Sequence, residues 1–197
     1  MLTRSYIIAA LLAILPGAGI AQKLPADCSK AAAPKQPLEV SVGGVKFTPK
    51  SITLRDEGGM KVGDDEFDSY RLYLRSEDDF SPPLEAGVTF IVRKGARIEG
   101  KVFRKLPIKD SSKQPMVAKS DEVEVQGWQF RNRPAKTGSS HAELIGSLRL
   151  ELGQRQGTTI SGNIYLCVAK GQTTIFNRTP TPEDSYAVGT FQARVEK

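Results

Sequence analysis

From Leu38 onward the chain alternates apolar and polar residues at a period of two. Tyr70, Leu72 and Leu74 are separated by Arg71 and Tyr73, and Leu148, Leu150 and Leu152 by Arg149 and Glu151. Val88, Phe90 and Val92 are separated by Thr89 and Ile91. Further runs fall at Val40-Val42, Val45-Phe47, Ile98-Gly100-Val102, Val123-Val125, Ile160–Val168 and Gly189–Val195. This period sends successive side chains to opposite faces of a strand, so each run has one face suited to a core. Turn residues separate the runs: Gly58-Gly59, Gly63-Asp64, Pro82-Pro83, Lys94-Gly95, Gly138, Gly157, Lys170-Gly171 and Pro180–Pro182. Helical spacing is confined to one short turn over His141–Ser147. The pattern predicts an all-β fold, an antiparallel β-sandwich or flattened barrel.

The order of runs also allows two similar four-strand halves, 38–107 and 121–197, joined by a polar linker at 108–120. Val40-x-Val42-x-Gly44-Val45-x-Phe47 recurs as Val123-x-Val125-x-Gly127-Trp128-x-Phe130. Strict alternation puts Trp128 and Phe130 on the face opposite Val123 and Val125. One extra residue at Gly127 returns them to the same face, and a glycine bulge supplies it. Gly43-Gly44 reads as the same device or as a tight hairpin turn.

Ahead of this region lies a different composition. Met1–Arg4 is a short basic head, Ile7–Ile14 an apolar run, and Gly19-Ile20-Ala21 a small-residue cleavage pattern. Residues 1–21 therefore read as a signal peptide, with an apolar run too short to span a bilayer. The mature chain then starts near Gln22 with 176 of the 197 residues, and is expected to be secreted or periplasmic. No transmembrane anchor is expected after cleavage. Residues 22–37 are rich in Lys, Pro and Ala and read as a tether to a single domain at 38–197.

The two cysteines, Cys28 and Cys167, both survive that cleavage. An oxidising compartment lets them pair. Alternation places Cys167 on the face opposite Ile164, Leu166 and Val168. A Cys28–Cys167 disulfide would then draw the tether across the outside of the sheet.

Residue types narrow the chemistry. His141 is the single histidine, which disfavours Ser-His-Asp and Cys-His relays and most zinc sites. There is no G-x-S-x-G, H-E-x-x-H, phosphate loop or G-x-G-x-x-G. Asp64-Asp65-Glu66-x-Asp68 and Glu77-Asp78-Asp79 flank the Tyr70–Leu74 strand and could hold calcium or run glycoside hydrolysis. The first cluster lacks the glycine and glutamate spacing of an EF-hand, and a strand of some seven residues separates the two by roughly 23 Å. Solvated turns are the simpler reading. Asn177-Arg178-Thr179 matches a glycosylation acceptor. Neither a catalytic group, a metal site nor a cofactor is expected.

Charge changes the picture more. The chain carries a formal +6, unevenly spread. Residues 38–85 hold 6 Lys/Arg against 11 Asp/Glu, a net −5, whereas 86–136 hold 12 against 5, a net +7. The candidate ligand surface is the basic segment Arg93–Lys113, with Arg97, Lys101 and Lys105 and the outward Tyr73 and Tyr165. Partners fitting such a face outside the cell are an acidic glycan, an anionic envelope component or a protein, and nucleic acid is not expected. The leading expectation is a non-enzymatic binding or structural module of the envelope or extracellular space. The alternatives are a secreted protein-binding inhibitor or adhesion module, and a carboxylate- or metal-dependent hydrolase.

Overall fold

A computed structural model describes residues 24–25, 27–78, 82–105, 124–132, 139–141, 146–171 and 183–197, with side chains described outside 124–132 and 139–141. The segment read as a signal peptide, Lys109, Lys113 and Asn177 lie outside the described residues.

Eleven strands are described: β1 (Glu39–Val42), β2 (Val45–Phe47), β3 (Ser51–Val62), β4 (Asp65–Arg75), β5 (Leu84–Arg93), β6 (Val102–Lys105), β7 (Glu124–Asn132), β8 (Ser139–His141), β9 (Ser147–Gln156), β10 (Thr159–Val168) and β11 (Ser185–Glu196). They form one sheet in the order β10-β9-β6-β7-β5-β4-β3-β11-β1-β2, with β8 on β7. The sheet is mixed and curls into a half-barrel. An additional β10–β11 pairing brings the eighth strand of this order back to the first.

The antiparallel expectation needs correction at two seams. Strand β6 meets β7 in parallel at Arg104↔Glu124, and β11 meets β3 in parallel over Arg194–Glu196. The β11–β3 seam joins strands from opposite halves of the chain, while β6 and β7 follow one another across residues 106–123, a length that suits a crossover and not a tight hairpin.

The core follows from the period of two. Leu72 and Leu74 of β4, Val88 and Phe90 of β5, and Leu148 and Leu150 of β9 are fully buried and pack together. Phe90 sits 4.3 Å from Phe103 and 5.6 Å from Tyr70, centroid to centroid. Burying each such side chain contributes roughly 1.5–3 kcal/mol. Because the interior is shared by strands from both ends of the chain, no single hairpin holds this core alone.

Local details depart from simple alternation. Gly58-Gly59 does not end a strand. It lies inside β3, where the register against β4 shifts between Asp56 and Gly58 and Gly58 takes φ +90. Ile98–Val102 is not a strand up to its last residue. It is a turn-rich connection, and β6 starts only at Val102. The turn expected at His141–Ser147 has strand at both of its ends, in β8 and β9, and 142–145 lie outside the described residues.

Two glycine motifs of matching pattern fold differently. Gly43 and Gly44 take φ +57 and +82 and close the β1–β2 hairpin. Gly127 faces Thr89, while Val125 faces Phe90, so Gln126 is the extra residue of a bulge in β7. A bulge is thus present beside Gly127, but its extra residue is Gln126 and not the glycine, which stays in register.

Candidate functional site

Strands β6, β9, β10 and β11 turn one set of side chains to the core and the other outward. Leu148, Leu150 and Leu152 of β9 and Ile164, Leu166 and Val168 of β10 face in. Their neighbours Ser147, Arg149 and Glu151, and Asn163, Tyr165 and Cys167, therefore share the outer face. Register stacks these into rows across the sheet. Thr190 faces Asn163, Asn163 faces Glu151, and Glu151 faces Val102. One step along, Val188 faces Tyr165, Tyr165 faces Arg149, and Arg149 faces Arg104. One step further, Tyr186 faces Cys167, which faces Ser147.

The disulfide closes that last row. Cys28 and Cys167 are bonded, with Cα atoms 6.1 Å apart. The Cys28 N–H also donates to Ser147 Oγ at 2.7 Å, and Cys28 and Ser147 are both fully buried. The tether therefore crosses the outside of the sheet, as alternation implied. Its far end is anchored on β11. Thr190 donates both its N–H, at 2.8 Å, and its hydroxyl, at 3.2 Å, to the Gln36 carbonyl. Gly189 makes this approach feasible: a Cβ there would lie 2.6 Å from the Gln36 oxygen and 2.7 Å from that of Pro37.

Beside these rows is a shallow concavity of about 450 Å³, lined by Lys101, Val102, Glu151, Gly153, Ser161, Gly162, Asn163, Thr190 and Phe191 among others. A glycine keeps its floor low: a Cβ at Gly153 would meet Ser161 Oγ at 2.5 Å. At Gly162, in register with the core residues Leu152 and Phe191, a Cβ would instead strike Phe191 Cζ at 2.4 Å on the inward side. The register between β9 and β10 shifts here, between Ile160 and Gly162. The connection before β6 forms the rim, held by Gly100 N–H to Gly153 O and Leu152 N–H to Lys101 O.

Electrostatics sharpen the picture. Glu151 accepts from Arg149 Nε on one carboxylate oxygen and from Asn163 Nδ2 on the other, at 3.3 Å. Burial pushes its pKa up, but those two bonds and the charges of Arg149 and Arg104 outweigh it and hold the carboxyl below its ordinary value. Lys101, Arg104 and Arg149 thus lie around Glu151, and Glu124 of β7 is the register partner of Arg104 on its other side. Lys101 and Arg104 are exposed.

The residues expected from sequence distribute unevenly. Lys101 lines the concavity, Arg97 is exposed in the connection leading to it, and Tyr165 is half-buried in the row with Arg149. Lys105 requires correction: it is 8% exposed, because it follows Phe103 by two residues and shares its inward face. Tyr73 requires correction as well. It points outward but is only 8% exposed. Arg71 and Arg75, two residues either side on the same face, lay their guanidinium groups over its ring at 5.1 and 4.2 Å. Its hydroxyl donates to Glu57, and Arg75 pairs with Glu85 at 2.9 Å. Tyr73 and Tyr165 form no common platform, since β3 and β11 separate their strands, a gap of roughly 14 Å at ordinary strand spacing.

Arg104, Glu151 and Asn163 were not singled out from sequence. Alternation already put Arg149 and Glu151 on one face; their neighbours on β6 and β10 depend on strand order.

Other charged groups are paired among themselves. Asp65 binds Arg93 at 3.1 Å, Glu66 binds Lys94 at 2.6 Å, and Asp68 accepts the Gly95 N–H at 2.8 Å. This acidic stretch thereby fastens the β3–β4 turn to the end of β5. A larger, more open trough of about 670 Å³ lies along Gln36–Glu39 and Lys46–Thr48. Its charges neutralise one another: Glu39 accepts from Lys46 and from the Tyr186 hydroxyl. The Lys46 pKa is raised by the hydrogen bonds to Glu39 and Tyr186. That leaves the outer face of β6, β9 and β10 as the stronger candidate.

Comparison with known proteins returns no match: no family model, no curated protein and no solved structure matches the chain.

Proposed function

We propose that the protein is an exported, non-enzymatic binding module of the cell envelope or extracellular space, and that its outer face around Lys101, Arg104 and Arg149 takes an anionic ligand. In this reading the curled sheet serves as a flattened barrel or sandwich, a rigid support for that face. The observation that carries it is the placement of Arg104 directly opposite Arg149 on the outer faces of adjacent strands. Glu151 already answers Arg149, which leaves the exposed Arg104 and Lys101 beside it to meet a negative ligand. The disulfide is compatible with an oxidising extracellular or periplasmic location.

The test is binding to polygalacturonate, an acidic polysaccharide. Lys101→Glu with Arg104→Glu should abolish it, whereas Lys50→Glu, at an exposed site before β3, should not. Equal binding by all three proteins would remove the proposal. A second reading, a protein-binding inhibitor or adhesion module, draws on Val102, which is 43% exposed at the rim. It predicts that Val102→Asp, and not loss of charge, abolishes capture of a partner.

A further inference from the structure

We infer that the ligand is specifically an acidic saccharide, whose hydroxyl groups are received by Glu151 and Asn163 while its negative groups meet Lys101 and Arg104. This rests on the anionic-ligand reading above and names the chemistry of the same face.

A surface built only to attract negative charge has no use for a carboxylate in its middle. Coulomb repulsion from Glu151 weakens the hold on a phosphate, a lipid headgroup or any other anion that brings no hydrogen-bond donor. Yet Glu151 stands between Val102 and Asn163 in register, lines the concavity, and is kept ionised by Arg149 and Arg104. Its side chain remains 25% exposed. A carboxylate accepts about four hydrogen bonds. Arg149 and Asn163 each contribute one, to different oxygens, so acceptor capacity remains toward the concavity. An ionised acceptor next to cations fits a molecule that carries hydroxyl donors and negative charge within one ring's reach. Sugar acids and sulfated sugars have that composition.

The surroundings agree. Asn163 spends an N–H on Glu151 and keeps a carbonyl oxygen, a second acceptor for a hydroxyl. Ser161 adds an exposed hydroxyl at the same rim. Gly153 leaves the floor beside Ser161 without a side chain. A polar-edged floor suits a saccharide better than an acyl chain. Tyr165 in the adjoining row offers an amphipathic ring for a neighbouring unit.

The sign of one substitution separates this inference from plain electrostatics. Glu151→Ala removes a negative charge and releases Arg149, so a purely electrostatic surface must bind every polyanion more tightly. The inference requires the reverse for a saccharide. Binding of oligogalacturonate, which carries hydroxyls and carboxylates, should weaken about ten-fold, the loss expected for a hydrogen bond to a charged group. Binding of polyacrylate, which carries carboxylates without hydroxyls, should stay the same or tighten. Asn163→Ala should weaken oligogalacturonate several-fold and leave polyacrylate unchanged; it serves if Glu151→Ala folds poorly by circular dichroism. Tightening of both polymers by Glu151→Ala, with Asn163→Ala silent, would overturn the saccharide inference and leave the anionic-ligand reading standing. Absence of binding to both polymers by the unaltered protein would overturn both.

Discussion

Arg104 on β6 and Arg149 on β9 face one another directly, both outward, although 44 residues lie between them in the chain. Arg149 is neutralised by Glu151 two residues along its own strand, while Arg104 stays exposed. Binding of a polyanion here should depend steeply on salt, since exposed charges are screened within about 8 Å at physiological ionic strength. Affinity for polygalacturonate is expected to fall several-fold between about 50 and 300 mM sodium chloride, and Arg104→Ala should flatten that dependence. Isothermal titration at several salt concentrations measures both.

The Cys28–Cys167 bond spans 139 positions. Closing a loop of that size is worth about 4–5 kcal/mol in the chain-entropy model. Replacing both cysteines by serine should lower the thermal midpoint by many degrees without removing the β-sheet signal in circular dichroism. Hydrogen exchange should locate the change at the tether and β11, because Thr190 is bonded to Gln36 at the other end of the same segment. Unchanged protection of the Thr190 amide would show that the tether holds without its latch.

Gly162 has no room for a methyl group. Its added carbon would sit 2.4 Å from Phe191 and 2.7 Å from the Glu151 carbonyl oxygen. Gly162→Ala should therefore destabilise the fold by roughly 1–3 kcal/mol or more, as overpacking does. Phe191→Leu combined with Gly162→Ala should recover part of that loss, leaving the backbone contact. Chemical denaturation of the single and double variants tests the pair.

Acid should weaken the fold through Glu151 and Glu39. Both carboxyls sit below their ordinary value of 4.5, Glu39 chiefly through hydrogen bonds from Lys46 and Tyr186. A depressed carboxylate contributes stability that is fully present above the unfolded pKa and lost as pH falls through the folded one. The thermal midpoint should thus drop as pH falls below 4.5, and Glu39→Gln with Glu151→Gln should shallow that drop. An identical acid profile for the double variant would refute these two groups as the source. Solvent screening keeps each contribution small, since both side chains are partly exposed.

Faces were legible in the sequence and neighbours were not. The split of Leu148, Leu150 and Leu152 from Arg149 and Glu151 follows from alternation alone, as does the outward Cys167. Which strand lies beside β9 does not, because β6 joins it across a long connection and not through a hairpin. Lys105 departs from its expected outward position because the Ile98–Val102 run is a turn-rich connection and not a strand up to its last residue. With β6 starting at Val102, Phe103 and Lys105 share the inward side. Tyr73 faced outward as alternation implied, yet Arg71 and Arg75 cover its ring, a consequence of long cationic side chains lying flat on an aromatic. The second half of β3 escaped because Gly58-Gly59 has the composition of a turn, while pairing with β4 carries the strand through as a bulge.

The most direct measurement is a nitrogen–proton chemical-shift titration of the oxidised protein with oligogalacturonate. Saturable shifts are expected at Lys101–Arg104, Arg149–Glu151 and Ser161–Tyr165, with β4 and the β1–β2 hairpin unmoved. Saturable shifts centred on the Glu39–Lys46 trough, with the β6, β9 and β10 face silent, would contradict it.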